Sequence, residues 1–333
     1  MIISKTPLRM SLVGGGSDLP AYYRTAPGAV VSTTIDKYVY VSINPKFDGG
    51  IRLAYSRTEE VASLTEIKHD LFRAALEMLD VNGGVEVTTT ADIPSRGTGL
   101  GSSSSFTVGL LNAVNAFKNR TSSAEWLAAT ASEIEIERCG APIGKQDQYA
   151  AAYGGMNLIE FNPDGSVTVQ PLAIRPETIR DLFSRLIVFY TGITRSASDI
   201  LARQSGHVED DARVRARLGR MVELAYILRD ELCEGRLDGL GEILRENWSL
   251  KKGLASGISN DDVDGWHDAA IAAGADGGKL LGAGSGGFLA FFAPPGRHDA
   301  IEAAVGLRRV TFGFEPAGSH ILLYSPTPAR SGR

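Results

Sequence analysis

Hydrophobic and polar residues alternate with two different periods along this chain of 333 residues. A two-residue period predicts a strand with one buried face, and it is carried by Val85, Val87, Thr89, Ala91 and Ile93. Spacings of three and four residues predict an amphipathic helix just beyond it, and they are carried by Phe106, Leu110, Leu111, Val114 and Phe117. The segment that joins these two elements, residues 92–105, is rich in glycine and serine.

The same two periods predict the other elements of the chain. Strands are predicted for residues 2–13, 30–43, 51–55, 157–161, 166–171, 186–190 and 321–324, with a strand–turn–strand unit at 279–293. Helices are predicted for residues 66–79, 123–138, 263–273 and 297–307, with several charged helices between 195 and 254. Strands and helices that follow each other without a regular βαβ rhythm are typical of the α+β class. A change of composition near residues 174–181 predicts two domains, 1–175 and 176–333.

The joining segment has the composition of an anion-binding site. Gly97, Gly99 and Gly101 precede a run of four serines at 102–105. Glycine lets a ligand approach the backbone, and the first turn of a helix offers unpaired N–H groups at the positive end of its dipole, which suits phosphate. Serine hydroxyls can bond phosphate oxygens or magnesium, although a tight turn with a serine cap explains the same residues. No lysine follows Gly101 and the glycine spacing is wrong for a dinucleotide fingerprint, which excludes a P-loop and a dinucleotide-binding turn.

Two further segments carry carboxylates with two interpretations each. Residues 14–18, GGGSD, form either a flexible turn or a site where Asp18 binds sugar-like hydroxyls. In the predicted helix at 123–138, Glu133 and Glu137 share one face while Glu135 points elsewhere. This acidic run is either a solvated surface or the source of a magnesium ligand that faces the phosphate segment.

Another candidate carboxylate lies between Gly140 and Asn157. Asp147 follows Lys145 at the start of an alanine-rich helix pattern. One interpretation makes Asp147 the N-cap of a helix at 148–153, because aspartate is among the best capping residues. The other makes it a general base that a neighbouring lysine holds in the ionised state.

Composition and charge narrow the class of protein. The content of 43% hydrophobic and 22% charged residues is typical of globular proteins, and a net charge of −5 without a long basic run argues against nucleic acid or an anionic membrane as partner. Two isolated cysteines, Cys139 and Cys233, predict a reducing cytoplasm. Five scattered histidines argue against a transition-metal site or a histidine triad. The chain shows neither the apolar core of a signal peptide nor a bilayer-spanning stretch.

Three segments taken together resemble a known superfamily. TPLRMSLVGGGSDLP, PSRGTGLGSSSS and KLLGAGSGGF occur in this order, and they resemble the three motifs of the galactokinase, homoserine kinase, mevalonate kinase and phosphomevalonate kinase (GHMP) superfamily. The similarity spans nearly the whole chain, and its middle motif is the most diagnostic. The continuation of the first motif and the segment GKQDQYAAAYGG look like the bacterial heptose kinases, which convert D-glycero-D-manno-heptose 7-phosphate into the 1,7-bisphosphate.

The resemblance implies a fold, cofactors and partners. The fold would be an α+β, two-domain GHMP-kinase fold, with an N-terminal domain like ribosomal protein S5 domain 2 and a ferredoxin-like C-terminal domain. ATP and Mg2+ would be the cofactors and a sugar phosphate the substrate of a cytoplasmic 1-kinase, with a homodimer left open. The alternatives are an anomeric kinase of galactose, fucose or an N-acetylhexosamine, and a regulator that kept the fold without catalysis. Retention of Asp147 and of the serine run argues against the regulator.

The resemblance also implies roles for particular residues. Asp147 and Arg9 would be catalytic. The ATP phosphates would be bound by Arg96, Gly97, Thr98, Gly99, Gly101, Ser102, Ser103 and Ser104. The substrate would be bound by Gly15, Gly16, Ser17, Asp18, Lys145, Arg195 and Gly284. Ser103 and Glu137 would hold the metal, with Glu135 left open because the interval from Glu137 to Asp147 is shorter than in mevalonate kinases and galactokinases.

Overall fold

The computed structural model describes residues 1–93, 97–193 and 197–326. Its strands are β1 (Ile2–Val13), β2 (Gly28–Pro45), β3 (Ile51–Ala54), β4 (Thr58–Val61), β5 (Val85–Ala91), β6 (Met156–Phe161), β7 (Val167–Pro171), β8 (Leu186–Tyr190), β9 (Gly277–Leu280), β10 (Phe288–Phe292), β11 (Arg308–Val310) and β12 (His320–Tyr324). Its helices are α1 (Pro20–Tyr23), α2 (Asp70–Met78), α3 (Ser102–Phe117), α4 (Ala124–Ser132), α5 (Gln146–Tyr153), α6 (Pro176–Arg185), α7 (Ala197–Asp210), α8 (Ala212–Glu234), α9 (Leu240–Lys252), α10 (Asp261–Ala272) and α11 (His298–Val305). A π-helical segment, Glu133–Arg138, continues α4.

The first sheet is built around the long strand β2. Its strand order is β12-β1-β2-β5-β3-β4, and β6 pairs with the first part of β2 and carries β7 on its other side. Thr6 of β1 and Ala91 of β5 both lie opposite Val39 of β2, on its two sides. The segment after β5 therefore runs back beside the second half of β1, where the Arg9 amide donates to the Leu100 carbonyl at 3.1 Å.

Helix α3 lies against β1 and β2, with α2, α4 and α5 around it. The sequence pattern predicts an amphipathic helix here, but the structure buries it on nearly every side. Its polar residues are accommodated by hydrogen bonds, since Ser105 donates to the Pro7 carbonyl at 2.8 Å and Asn115 to Ser122 at 2.8 Å. A buried α3 therefore has a fixed N-terminus, which is the end that meets the glycine segment.

The second sheet is antiparallel with the order β11-β8-β10-β9. Numbered along the chain this order is 4-1-3-2, which confirms the predicted ferredoxin-like arrangement. Helices α7 to α10 connect its first two strands, and α11 connects its last two. Within the described part of the chain, no helix has the length and apolar character needed to cross a bilayer.

The predicted limits of the second domain, 176–333, need correction at the C-terminal end. Strand β12 pairs with β1 in the first sheet, with Ile2 opposite Tyr324, and Phe314 forms a bridge with Ile35. The physical reason is that β1 would otherwise expose a row of unpaired backbone groups along the edge of the sheet. The predicted change near residues 174–181 coincides with the approach to α6.

The two sheets meet through two glycine segments. Gly99, in the segment before α3, lies against Gly282, in the turn between β9 and β10. A methyl group on Gly282 would overlap with the Gly99 Cα and lie 2.9 Å from its carbonyl oxygen. Glycine at residue 99 therefore serves backbone contact between the two halves, whereas the sequence suggested contact with a ligand.

This contact makes Gly282→Ala a test of how the two halves are joined. Gly282 has a φ of +78° and Gly306, which ends α11, has a φ of +66° with nothing within 4 Å of its missing Cβ. The control Gly306→Ala adds only the strain of a left-handed alanine, about 1 kcal/mol. Gly282→Ala adds the overlap as well, so calorimetry should give a melting temperature lower than the control by several degrees. Equal melting temperatures would show that the two segments separate easily.

Candidate active site

A cleft of about 590 Å³ opens where the glycine segments meet. The end of β1, the N-terminus of α3, the π-helical segment, the first turn of α5 and residues of α7 and α9 contribute to its walls. Residues that were predicted from sequence and line the cleft are Arg9, Gly15, Gly16, Asp18, Gly97, Thr98, Gly99, Gly101, Ser102, Ser103, Ser104 and Asp147. Gly282 and Ala283 of the third segment also line it, so the structure brings residues from all three motif segments into one site.

Arg9 and Asp147 form a bidentate ion pair inside the cleft. Arg9 Nε donates to Asp147 Oδ1 and Nη2 to Oδ2, both at 2.7 Å. The third donor group, Nη1, bonds the Gly99 carbonyl at 2.7 Å. The Arg9 side chain is only 5% exposed, whereas Asp147 keeps 24% of its side chain exposed towards the cleft. Asp147 lies inside the first turn of α5, and Lys145 occupies the N-cap position, so the capping interpretation of Asp147 is wrong.

The N-terminus of α3 forms one wall of the cleft. Gly101 is its N-cap residue with a φ of +75°, and no side chain caps the helix. The amide groups of the first turn thus keep the positive end of the dipole free for an anion. A Cβ on Gly101 would lie 3.2 Å from Asp147 Oδ2, so this wall and the ion pair adjoin. Arg96, which was predicted to bind the phosphates, lies outside the described residues.

Glu135 connects the serine run with the π-helical segment. Its carboxylate accepts hydrogen bonds from Ser103 at 3.1 Å, Ser104 at 2.7 Å and Thr107 at 2.8 Å, and also from Gln148. Burial raises the pKa of this carboxyl above its ordinary value, and the hydrogen bonds oppose that rise. A buried carboxylate beside a serine hydroxyl offers the hard oxygen ligands that magnesium prefers.

The predicted metal ligand Glu137 is not at this position. Glu137 is exposed, as is much of the Glu133 side chain, which pairs with Arg138 at 3.1 Å. The alternation predicted for this run is correct, because Glu135 turns inward while Glu133 and Glu137 face solvent. Glu137, predicted as a metal ligand together with Ser103, is thus exposed, whereas Glu135, the alternative that was left open, accepts a hydrogen bond from Ser103.

Asp18 belongs to the GGGSD turn and lines the cleft. Its Oδ1 accepts from the Gly16 amide at 2.9 Å and from Gln146 Nε2 at 3.0 Å. Burial, and secondarily the nearby Asp147, raise the pKa of Asp18 above its ordinary value. Any side chain at residue 144 would overlap with the Asp18 carboxylate, so glycine is required there.

Three buried polar atoms around Asp18 have no hydrogen-bond partner among the described residues. They are Ser11 Oγ, Gln146 Oε1 and Gln204 Nε2, and all three residues line the cleft. A buried polar atom without a partner is costly, so such atoms mark a place where a ligand completes the hydrogen bonds. The set holds a hydroxyl, an acceptor and a donor, which matches a ligand rich in hydroxyl groups.

Three predicted substrate-binding residues do not reach the cleft. Ser17 is buried and donates to the carbonyls of Gly14 and Ala29. Lys145 donates to the Gly165 carbonyl at 2.8 Å in the turn between β6 and β7. A Cβ on Gly284 would overlap with the Ile258 backbone, so this glycine packs within the second half of the molecule. A further predicted residue, Arg195, lies outside the described residues.

Ser11, Gln204 and Lys251 are polar residues of the cleft that were not predicted from the sequence. Ser11 follows Arg9 by two residues on β1, so the period of the strand places both on one face. Lys251 continues the buried stripe of α9 that includes Asn247 and Trp248. No sequence signal distinguishes Gln204 from the other polar residues of α7.

The fold and the cleft define a two-domain kinase, and comparison with known proteins gives its family. Residues 67–155 match the GHMP kinases N terminal domain and residues 228–309 match the GHMP kinases C terminal domain. The chain belongs to the GHMP kinase family. It is an ATP-dependent phosphotransferase that acts on a sugar hydroxyl.

The relatives include sugar kinases as well as mevalonate kinases. The chain is 33% identical to D-glycero-alpha-D-manno-heptose 7-phosphate kinase of Campylobacter jejuni, over 88% of this chain and 90% of the relative. It is 28% identical to galactokinase of Pyrococcus furiosus, over 86% and 87% of the two chains. A solved structure of a D-glycero-D-manno-heptose 1-phosphate kinase from Bacteriodes thetaiotaomicron superposes with a TM-score of 0.80 at 28% identity, covering 98% of this chain and 100% of that one.

The buried state of Asp18 predicts a characteristic pH dependence of stability. Burial raises the pKa of Asp18 in the folded protein above 3.8, its ordinary value. The wild-type protein therefore loses stability as the pH rises from 3.8 to the raised pKa of the folded state. Asp18→Asn removes this loss. The melting temperature of the variant relative to wild type should therefore increase as the pH rises above 3.8.

Asp164→Asn is the matched control for this experiment. Hydrogen bonds from Ser166 lower the pKa of the exposed Asp164 below 3.8, so its contribution to stability changes only at lower pH and the control should stay nearly flat above pH 3.8. Differential scanning fluorimetry across the pH range measures both variants. A relative melting temperature of Asp18→Asn that stays flat or falls with pH would contradict the buried, desolvated state of Asp18.

Proposed function

We propose that this protein is a D-glycero-D-manno-heptose 7-phosphate 1-kinase. It would transfer the γ-phosphoryl group of ATP to the anomeric hydroxyl and form the 1,7-bisphosphate, in the biosynthesis of nucleotide-activated heptose. The observation that carries the proposal is the 33% identity over 88% of the chain to a relative of that name. The unpartnered polar atoms of Ser11, Gln146 and Gln204 line the same cleft as the Arg9–Asp147 pair, and they support the proposal because they suit a ligand with many hydroxyl groups.

Asp147 is the proposed general base. Its carboxylate is held by two hydrogen bonds from Arg9 and remains open to the cleft, so it can accept the proton of an acceptor hydroxyl. An anomeric hydroxyl is more acidic than an ordinary alcohol, which lowers the demand on the base. Phosphoryl transfer otherwise depends on positioning and on neutralising charge, and the amides of α3 contribute to both.

Magnesium is the proposed metal ion, with Ser103 and Glu135 as its protein ligands in place of Ser103 and Glu137. The fit rests on the buried Glu135 carboxylate, whose hydrogen bonds come from hydroxyl and amide groups that an ion can replace or reorient. Bound there, the ion would supply positive charge for the phosphate oxygens of ATP.

The sugar is proposed to lie between Asp18 and the Arg9–Asp147 pair. Asp18 would accept hydrogen bonds from sugar hydroxyls, and Ser11, Gln146 and Gln204 would complete the pocket through their unpartnered atoms. A cytoplasmic location is proposed as well, because ATP is available there.

A kinase of another sugar is the second candidate. The relatives include galactokinase at 28% identity over 86% of this chain and a bifunctional fucokinase/GDP-fucose pyrophosphorylase of Arabidopsis thaliana at 29% identity over 85% of it. The cleft does not distinguish these sugars, since hydroxyl groups are common to all of them. A non-catalytic regulator is disfavoured by the intact ion pair of Arg9 and Asp147.

Replacing Asp147 tests the proposed base. Asp147→Asn keeps the size of the side chain but removes the proton acceptor, so kcat should fall by about 100-fold or more. Affinity for ATP, measured by isothermal titration, should change little because the phosphate wall is formed by α3. Asp164→Asn, at an exposed turn, is the control that should keep wild-type turnover. If Asp147→Asn kept wild-type turnover, Asp147 would not be the base and would serve only as the ion-pair partner of Arg9.

Substrate preference tests the heptose assignment. A coupled assay of ADP release compares D-glycero-D-manno-heptose 7-phosphate with the unphosphorylated heptose, galactose and fucose. The heptose 7-phosphate should have a kcat/KM about 100-fold higher than the free heptose, because charge-assisted bonds to a dianion contribute strongly to binding. Equal use of galactose or fucose would refute the heptose assignment and leave a kinase of another sugar.

A further inference from the structure

Lys251 places a buried ammonium group in the wall of the cleft. It lies in the last turn of α9, is only 6% exposed and lines the cleft beside Gly282. Its Nζ donates to the Gly282 carbonyl, which is the one acceptor that the described residues give it. An ammonium has three N–H donors, so two remain for oxygen atoms inside the cleft.

Two other lysines show how unusual this state is. Lys279 is also buried, but its Nζ is bound by the carbonyls of Ser11 at 2.9 Å and Leu12 at 2.8 Å. Lys252, the neighbour of Lys251, is exposed and pairs with Asp264 at 3.1 Å. The burial of Lys279 is therefore explained by its two carbonyl partners, and Lys252 is an ordinary surface lysine with an acidic partner. Lys251 has a buried charge whose hydrogen bonds are incomplete, which is costly unless a ligand completes them.

The position of Lys251 indicates the chemistry of that ligand. Gly282, its partner, lies against Gly99 on the phosphate side, and the charged groups that act on Lys251 are Arg9, Asp18 and Asp147. Arg9 and Asp147 form the ion pair at the proposed reaction centre, and Asp18 lies at the proposed sugar site. Lys251 thus lies in the cleft between the proposed phosphate and sugar sites, where an oxyanion with several oxygens could accept from its two free donors.

We propose that Lys251 binds the phosphoryl group while it passes from ATP to the sugar, as a second cation beside Arg9. The proposal rests on the phosphotransferase activity and not on the identity of the sugar. During transfer the negative charge spreads over the three equatorial oxygens of the phosphoryl group, and a fixed cation next to them stabilises the transition state. The bond to Gly282 holds the ammonium in place and ties it to the segment that meets Gly99.

The environment of Lys251 also predicts how the activity should depend on pH. Burial lowers the pKa of Lys251 to about 8, the nearby Arg9 lowers it too, and Asp18 and Asp147 oppose this. Lys279 is a further buried cation next to it. The charged form is the one that binds a phosphoryl group, so kcat/KM should decline as the pH rises through about 8. An arginine at this position keeps its charge and should move the decline to higher pH.

The test compares Lys251→Met, Lys251→Arg and the matched control Lys252→Met. Lys251→Met should lower kcat by about 100-fold or more, with KM for both substrates changed by less than about threefold, because the contact is made in the transition state. Lys251→Arg should recover part of kcat and shift the alkaline decline. Lys252→Met should match wild type both in kcat and in the pH of the alkaline decline. Thermal melting of each variant confirms that it is folded.

Two outcomes would overturn the proposal. If Lys251→Met keeps wild-type kcat, or if Lys251→Arg leaves the alkaline decline unmoved, Lys251 only anchors the Gly282 segment. If Lys251→Met raises KM for a phosphorylated sugar alone and spares its unphosphorylated counterpart, the oxyanion is a phosphate on the substrate. Each assay uses whichever sugar the wild-type protein phosphorylates, so failure of the heptose assignment leaves this test intact.

Discussion

The guanidinium of Arg9 is the interaction on which the site depends. One side chain binds the Asp147 carboxylate through two nitrogens and the Gly99 carbonyl through the third, while its own amide bonds Leu100. Strand β1, helix α5 and the segment before α3 are thereby fixed relative to one another. Arginine suits this task because its planar fork binds a carboxylate bidentately and still offers a further donor, which the single ammonium of lysine cannot do in the same geometry.

The contact between Gly99 and Gly282 extends this arrangement to the second sheet. Because neither residue has a side chain, the two backbones approach closely, and Lys251 then reaches the Gly282 carbonyl from α9. The cleft therefore has walls from both halves, with Gln204, Lys251 and Gly282 contributed by the second. This explains how Asp18 acts to raise the pKa of Lys251, a residue far from it in sequence.

Much of the fold follows from sequence periodicity. Periodicity predicted the strand at 2–13, the helix after Gly101 and the strand–turn–strand unit near 279–293. In these elements the hydrophobic positions of the sequence pattern are also the positions that the fold buries. The pairing of β12 with β1 was not predicted, since partner choice between distant strands depends on which edge is left open. The burial of α3 on every side was missed for a related reason, because its polar residues find partners only in the folded chain.

The site was predicted less completely, and the errors have a common origin. Sequence places residues on faces of elements, so the inward turn of Glu135 and the pairing of Arg9 and Ser11 on one face of β1 were accessible to it. It does not tell which distant partner a charged side chain finds in the folded chain. Lys145 looked like a partner for Asp147, but it donates to the Gly165 carbonyl in a turn that lies distant in sequence. Lys251 and Lys252 differ only by their position around α9, and the stripe through Asn247 and Trp248 selects Lys251.

The cleft holds three buried ionisable groups whose pKa values are all displaced towards the neutral form. Burial raises those of Asp18 and Glu135 and lowers that of Lys251. Each displacement means that the folded protein would be more stable without the charge, so these groups are a cost to folding that the rest of the core must offset. Ligands that bring hydroxyls and phosphate oxygens complete the hydrogen bonds of these groups. Binding should therefore stabilise the junction of the two halves as well as assemble the reactants, because both effects come from the same incomplete contacts.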